Sequence, residues 1–258
     1  MDNLTAFFSE QYLIVALVIG IASGLVGSFV ILRRMALVGD ALSHVALPGI
    51  ALALFWQVDP FWGAFFFLIL AAVLVWWLEG RTKLPGDAIV GLLFTASLAL
   101  GILGLPGEEI LDSLFGSFAH LSPAGFVGVV TASLAIAVAM LVASRRILLE
   151  IFTPEIAAIK DPKRLATLFF LLLFSSVVAL GIKLVGTLLM GALTIIPAAI
   201  AKNASRSMTG YVVSSAILGG SIAMVGAFLA GELALAPGPV IIIIGVAFFL
   251  VTVIFRRG

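Results

Sequence analysis

A chain of 258 residues that is 63% hydrophobic and only 10% charged, with a mean hydropathy of +1.30, carries more apolar surface than a soluble domain of that length can hide. It reads as a polytopic membrane protein. The absence of cysteine excludes disulfides and thiolate metal sites, and the formal net charge of +1 says less about partners than the placement of the charges does.

In chain order, apolar segments predicted to span the membrane run over 12–32, 36–56, 60–79, 87–105, 123–144, 165–183, 185–201, 210–230 and 238–255, nine in all. The count falls to eight if one of the two segments around Lys183 does not cross fully. The opening stretch, MDNLTAFFSEQYL, has no basic region and no small-residue cleavage site, so the first span is expected to be retained rather than removed as a signal peptide. Basic residues cluster in alternate connections: Arg33-Arg34, Arg81 with Lys83, Arg145-Arg146 with Lys160, Lys163 and Arg164, Lys202 with Arg206, and Arg256-Arg257. The intervening connections carry acids instead: Asp59, then Glu108, Glu109 and Asp112, then Glu232. Basic loops lie on the cytoplasmic side, so the N-terminus is expected outside and the C-terminus inside. Lys183 breaks the alternation and is expected at an interface or along a pathway.

Two connections are long enough to hold structure. The external one, LPGEEILDSLFGSFAHLSP, has an amphipathic piece from about Ile110 to Leu121 that is expected to dip into the membrane. In the cytoplasmic one, RRILLEIFTPEIAAIKDPKRL, Thr153 as N-cap, Pro154 in the first turn, Glu155 beside it and Pro162 as a stop predict a short helix over Pro154–Lys160. No soluble domain or short-period repeat is visible, so 1–258 reads as a single all-α transmembrane domain.

Asp40 and His44 stand out because they sit four residues apart, on one helical face, inside an apolar span. Placing an Asp mid-membrane costs roughly 2.5–3.5 kcal/mol, which argues for a pathway, a proton relay or a metal rather than for packing alone. Pro48 withdraws a backbone donor one turn later and is expected to bend the helix. One Asp and one His hold a metal loosely; a two-fold dimer doubles them to two nitrogens and two carboxylates, a set that suits zinc or, with water, manganese or iron. The ligating imidazole is neutral, so binding is expected to weaken as pH falls. His120, the other histidine, reads as an interfacial surface residue. Gly181, Gly186 and Gly191 recur every five residues, and Pro197 follows; the glycines serve either tight helix packing or a dimer contact beside the pathway. Glu232 reads as a solvated loop acid. The pattern GxxxxGK[ST] is absent, as are HExxH and GxSxG, so the chain is not expected to bind ATP by a P-loop or to be an enzyme by itself.

RRMALVGDALSHVALPGIALAL, Arg33–Leu54, resembles the signature segment of the ABC-3 family, the membrane subunits of bacterial ABC importers for zinc, manganese and iron. LFGS at Leu114–Ser117, GIKLVGTLLMGALTIIPAAIA at Gly181–Ala201 and APGPVIII at Ala236–Ile243 resemble further family segments in the right order. The resemblance implies a fold like the vitamin B12-type (type II) importers and a homodimer in the bacterial plasma membrane. Two ATP-binding subunits would dock on the cytoplasmic side and a metal-binding solute receptor outside, with no nucleic acid involved. It also implies that Asp40 and His44 line the pathway as metal ligands; Pro48, Gly186, Gly191 and Pro197 read, from the sequence itself, as pathway or packing residues. The divalent metal, whether zinc, manganese or iron, is then substrate rather than cofactor. The coupling helix falls at Pro154–Lys160, with Pro154, Glu155, Ile156, Ala157 and Ile159 as its contact residues. Here the chain reads TPEIAAIKDP where the family has a DEELA-like run and a glycine, so Asp161-Pro162 replaces the glycine-containing end. Two other readings compete: a secondary transporter in which Asp40 and His44 relay protons, and a membrane scaffold, which leaves that pair unexplained.

Overall fold

The computed structural model of the protein describes residues 2–82, 84, 86–104, 122–161, 164–187 and 190–255. Among these residues the chain is helices and turns: α1 (Asp2–Leu32), α2 (Ala36–Phe55), α3 (Pro60–Arg81), α4 (Gly86–Gly104), α5 (Pro123–Phe152), α6 (Pro154–Lys160), α7 (Leu165–Val185), α8 (Met190–Ala204), α9 (Met208–Glu232) and α10 (Pro237–Phe255). Seven of them are long and apolar enough to cross a membrane, and α4 and α8 are shorter apolar helices. The external piece expected near Ile110–Leu121 lies outside the described residues.

Three helices depart from their expected lengths, the first because it begins at Asp2 rather than near residue 12. The fifth runs on through Arg145-Arg146 to Phe152, a 30-residue helix about 45 Å long at 1.5 Å per residue, half as long again as a ~30 Å hydrocarbon core. Basic residues mark a membrane boundary, but Arg is also a good helix former, and no breaker intervenes before Pro154. The eighth helix is shorter and later than the segment expected at 185–201. Gly186 ends α7 with φ 80°, and the 15 residues of α8 cover only about 22 Å.

Burial sorts the helices. The spans of α1 and α2 are 72% and 78% buried, against 22% for α5 and α10, so the first two form the centre of the protomer and the latter two its periphery. The first helix packs most extensively on α9, then on α8 and α5, whereas α2 packs on α3 and α4. Consecutive in sequence, α1 and α2 barely touch; α7 and α8 bridge them.

Lipid offers no hydrophobic gain for helix association, so close packing of small residues does that work. Along α1, Gly20, Gly24 and Gly27 lie against the backbones of Gly219, Ser215 and Thr194, and a Cβ at any of the three would run into a carbonyl oxygen. Tyr211 Oη donates to the Ser28 carbonyl at 3.0 Å, and Ser215 Oγ to that of Gly24. The same device joins α2 to α3, where Gly49 and Gly63 meet backbone to backbone.

The corner from α1 to α2 is tight. Arg34 takes a left-handed conformation, φ 60°, while its N–H reaches back to the Ile31 carbonyl and that of Met35 to Val30. Such double closure normally uses glycine at the left-handed position.

Candidate functional site

The second helix builds the site. It starts after Met35 without a side-chain cap and contains Pro48 in its interior. One turn in, the backbone carbonyl of Asp40 accepts twice from side chains: from Ser43 Oγ at 2.7 Å and from His44 Nδ1 at 2.9 Å. A carbonyl oxygen only accepts, so Nδ1 carries the proton and the lone pair of neutral His44 sits on Nε2, the form and atom a metal needs. Proline at 48 has no N–H to give to the carbonyl of His44, four residues back, so that oxygen is left without its helical donor.

The two side chains occupy different surroundings. Asp40 is exposed on the protomer, whereas His44 is only 6% exposed. The imidazole sits edge-on to Phe94 of α4, with centroids 5.2 Å apart and planes at 88°. Behind Asp40 the eighth helix crosses α2 so closely that Gly191 lies against the Asp40 backbone; an ideal Cβ there would stand 2.7 Å from Asp40 N and Cα. Gly39 faces Gly191 Cα and Phe174 Cζ from the other side. Asp40 is thus held by its main chain while its carboxylate stays open. Among the described residues no group of three or more His, Cys, Asp and Glu side chains is placed to hold a metal ion, so Asp40 and His44 stand there as a pair.

The other flagged residues separate. Gly181 packs under Met190, Gly186 supplies the positive φ that ends α7, and Gly191 makes the approach to Asp40, so the three glycines have three tasks. Pro197 is buried inside α8. Glu232 is the exposed last residue of α9. His120, Leu114–Ser117 and the Lys183 side chain lie outside the described residues.

Helix α6 carries Pro154, Glu155, Ile156, Ala157 and Ile159 at the basic end of the bundle. Ala157 points inward at 6% exposure, while Ile156 and Ile159 are 47% and 82% exposed, a pair of apolar side chains on a charged surface. The Thr153 hydroxyl does not cap this helix; it donates to the Leu149 carbonyl of α5 at 2.9 Å. Sequence reasoning used Arg33 only as an orientation marker. Its side chain is in fact largely withdrawn from solvent and paired with Glu150, 117 residues away, and no local pattern signals that pairing.

Comparison with known proteins gives a consistent result. Residues 7–256 match the model of the ABC 3 transport family. The manganese import system permease protein ScaB of Streptococcus parasanguinis is 30% identical over 98% of this chain and 92% of its own. A probable iron transport system membrane protein of Haemophilus influenzae is 30% identical over 99% of this chain and 94% of its own. In solved structures, PsaBC from Streptococcus pneumoniae in complex with Fab superposes with a TM-score of 0.84 at 29% identity, covering 99% of this chain and 95% of that one. A structure described as a metal-chelate type ABC transporter in an inward-facing conformation shares the fold, with a TM-score of 0.68 at 21% identity over 95% of this chain and 85% of that one.

Proposed function

We propose, from the premise that the chain belongs to the ABC 3 transport family, that it is the permease subunit of an ATP-driven importer whose cargo is a divalent transition metal, manganese before iron or zinc. The observation that carries the reading is an open carboxylate at Asp40 one turn from His44, whose Nδ1 donates to the Asp40 carbonyl and so leaves Nε2 as the ligating atom of the neutral imidazole, on a mostly apolar span. Oxygen and imidazole donors without thiolate suit manganese and iron, and the relatives at 30% identity are named for those two metals. Two copies around a two-fold axis bring two such pairs together, which makes up the ligand number one protomer lacks. The ion is delivered by an external binding protein, held between the Asp40 and His44 pairs, and released inward. ATP-binding subunits on α6 supply the energy, so this chain is not itself an enzyme. The chain lies in the plasma membrane, with its N-terminus outside and its C-terminus in the cytoplasm.

The test uses the complete complex in proteoliposomes with labelled manganese. Asp40→Asn and His44→Gln are expected to assemble normally and lose uptake. Near-normal uptake by both variants removes the ligand role, and uptake driven by a proton gradient without ATP favours the relay instead.

A further inference from the structure

At the cytoplasmic end of α1 the Arg33 side chain turns into the protein. It is 11% exposed, and that of its partner Glu150 is 15% exposed. Arg33 Nη2 donates to Glu150 Oε2, and Nη1 donates to Thr167 Oγ1 at 3.3 Å. The Thr167 hydroxyl donates in turn to the same Glu150 oxygen at 2.9 Å, which closes a triangle. The guanidinium also lies over Phe170, with Cζ 4.7 Å from the ring centroid. Burial disfavours its charge, and the Glu150 carboxylate works against that loss. A pair so placed is weak evidence for stability, because desolvation offsets much of the attraction. What it does provide is a geometric link between elements.

Its position in the chain matters. Glu150 is in the last turn of α5 and Thr167 in the first turn of α7, so the triangle fastens both stems of α6 to one residue. That residue is separated from α2 only by the left-handed corner at Arg34 and Met35, and Asp40 lies one turn into α2. A displacement of α6 therefore reaches Arg33 through two hydrogen-bonded arms. It reaches Asp40 through a corner closed by two backbone bonds and a single turn of helix. A second ion pair, Arg164 with Glu79 at 3.2 Å, borders the same cleft of about 720 Å³ but is far more exposed, 45% on the arginine side; its two charges act on Arg33 through space with opposite sign, whereas Glu150 and Thr167 are hydrogen-bonded to it.

We propose that Arg33, Glu150 and Thr167 are positioning residues for transport, which carry movement of the Pro154–Lys160 helix to α2 and so to Asp40. The proposal rests on the reading of the chain as an ATP-driven permease. It is tested by the number of manganese ions imported per ATP hydrolysed, in proteoliposomes holding the complete complex. Glu150→Gln removes the charge and keeps the shape; Thr167→Val removes one arm isosterically and serves if the first variant folds poorly. Glu79→Gln removes a charge from the exposed pair as a control. Glu150→Gln is expected to keep assembly and ATP hydrolysis but lose about tenfold in ions per ATP, Thr167→Val about fivefold, within the usual range of coupling between sites. Glu79→Gln should leave the ratio unchanged. A brace that only stabilises the fold would instead lower melting, uptake and hydrolysis together at a constant ratio, and that result, or an unmoved ratio in both variants, overturns the proposal. Lack of ATP-driven uptake by the unaltered complex would overturn the functional reading itself, which separates the two failures.

Discussion

Replacing Gly191 by alanine puts one methyl group where α8 crosses α2. An ideal Cβ there lies 2.7 Å from Asp40 N, 2.7 Å from Asp40 Cα and 3.0 Å from Asp40 Cβ. Carbon atoms rest at about 3.5–4.0 Å, so the helices must part by roughly 1 Å at this point. None of the three atoms is the tip of a side chain that can swing aside. Overpacking of this kind costs about 1–3 kcal/mol, and at about 2–4 °C per kcal/mol for a chain of this size the unfolding midpoint falls by roughly 2–12 °C. The displacement falls on the residue that carries the carboxylate. A misplacement of about 1 Å in a positioned group is worth up to about a hundredfold in rate, so manganese uptake should drop by about ten- to a hundredfold while dimers still form. Two other glycines calibrate the result. Gly39→Ala meets only Phe174 Cζ and Gly191 atoms, at 3.4 Å and beyond, and should cost less. Gly128→Ala on α5 meets nothing within 4 Å and should gain roughly 0.5–1 kcal/mol from helix propensity. Thermal unfolding in detergent and labelled-metal uptake by the complex give the two readings. If Gly191→Ala tracks Gly128→Ala in both, the close crossing at Asp40 does not exist.

Three further outcomes are expected. Ile156→Asp with Ile159→Asp places charge on the exposed apolar pair of α6 and should cut co-purification of the ATP-binding subunit about tenfold or more, with the permease's own melting little changed; a full complement of bound subunit refutes that contact. Ser215→Ala removes the hydroxyl that donates to the Gly24 carbonyl, a class of bond worth about 0.6 kcal/mol in membranes, and should lower the midpoint by about 1–2 °C. Gly24→Ala, whose Cβ would strike the Ser215 carbonyl, should lower it several times further, and equal effects would argue against a backbone-to-backbone seam. Because the chain has no native cysteine, single cysteines at Asp59 and Leu235 should react with an impermeant thiol reagent from outside, and those at Glu155 and Arg206 only after permeabilisation; the reverse pattern inverts the topology.

Asp40 and His44 were legible because a charge inside an apolar run is costly, and its spacing to the histidine is a local fact. The apolar runs were legible for the same reason, and most helix ends fall within two or three residues of them. Where they do not, one signal served two physical purposes. Arg145-Arg146 reads as the end of a span, yet the helix passes through it, because leaving lipid does not require leaving the helix. Gly186 was grouped with Gly181 and Gly191 by spacing, while its task is a backbone angle that spacing cannot express. Thr153 had the right position for a cap, but the preceding helix offered its hydroxyl a carbonyl first. The partnership of Arg33 with Glu150 and Thr167 is a product of the fold, with 117 and 134 residues between the partners, and no pattern along the chain encodes it.

The seam between α1 and α9 has a consequence for how the protein is made. Gly24 and Ser215 are 191 residues apart, and a ribosome adding about 5–20 residues per second delivers the second roughly 10–40 s after the first. Throughout that interval α1 lies in the bilayer with its glycine face uncovered, open to any small-residue helix that drifts past. Thr194 of α8 emerges first and meets Gly27. The mate for Gly24 and Gly20 arrives afterwards, so the groove fills from the basic end outward in the order of translation. Ribosome speed then governs how long a nascent chain can be captured by the wrong neighbour, and slowed elongation between α1 and α9 should raise the yield of misassembled permease without any change in its amino-acid sequence.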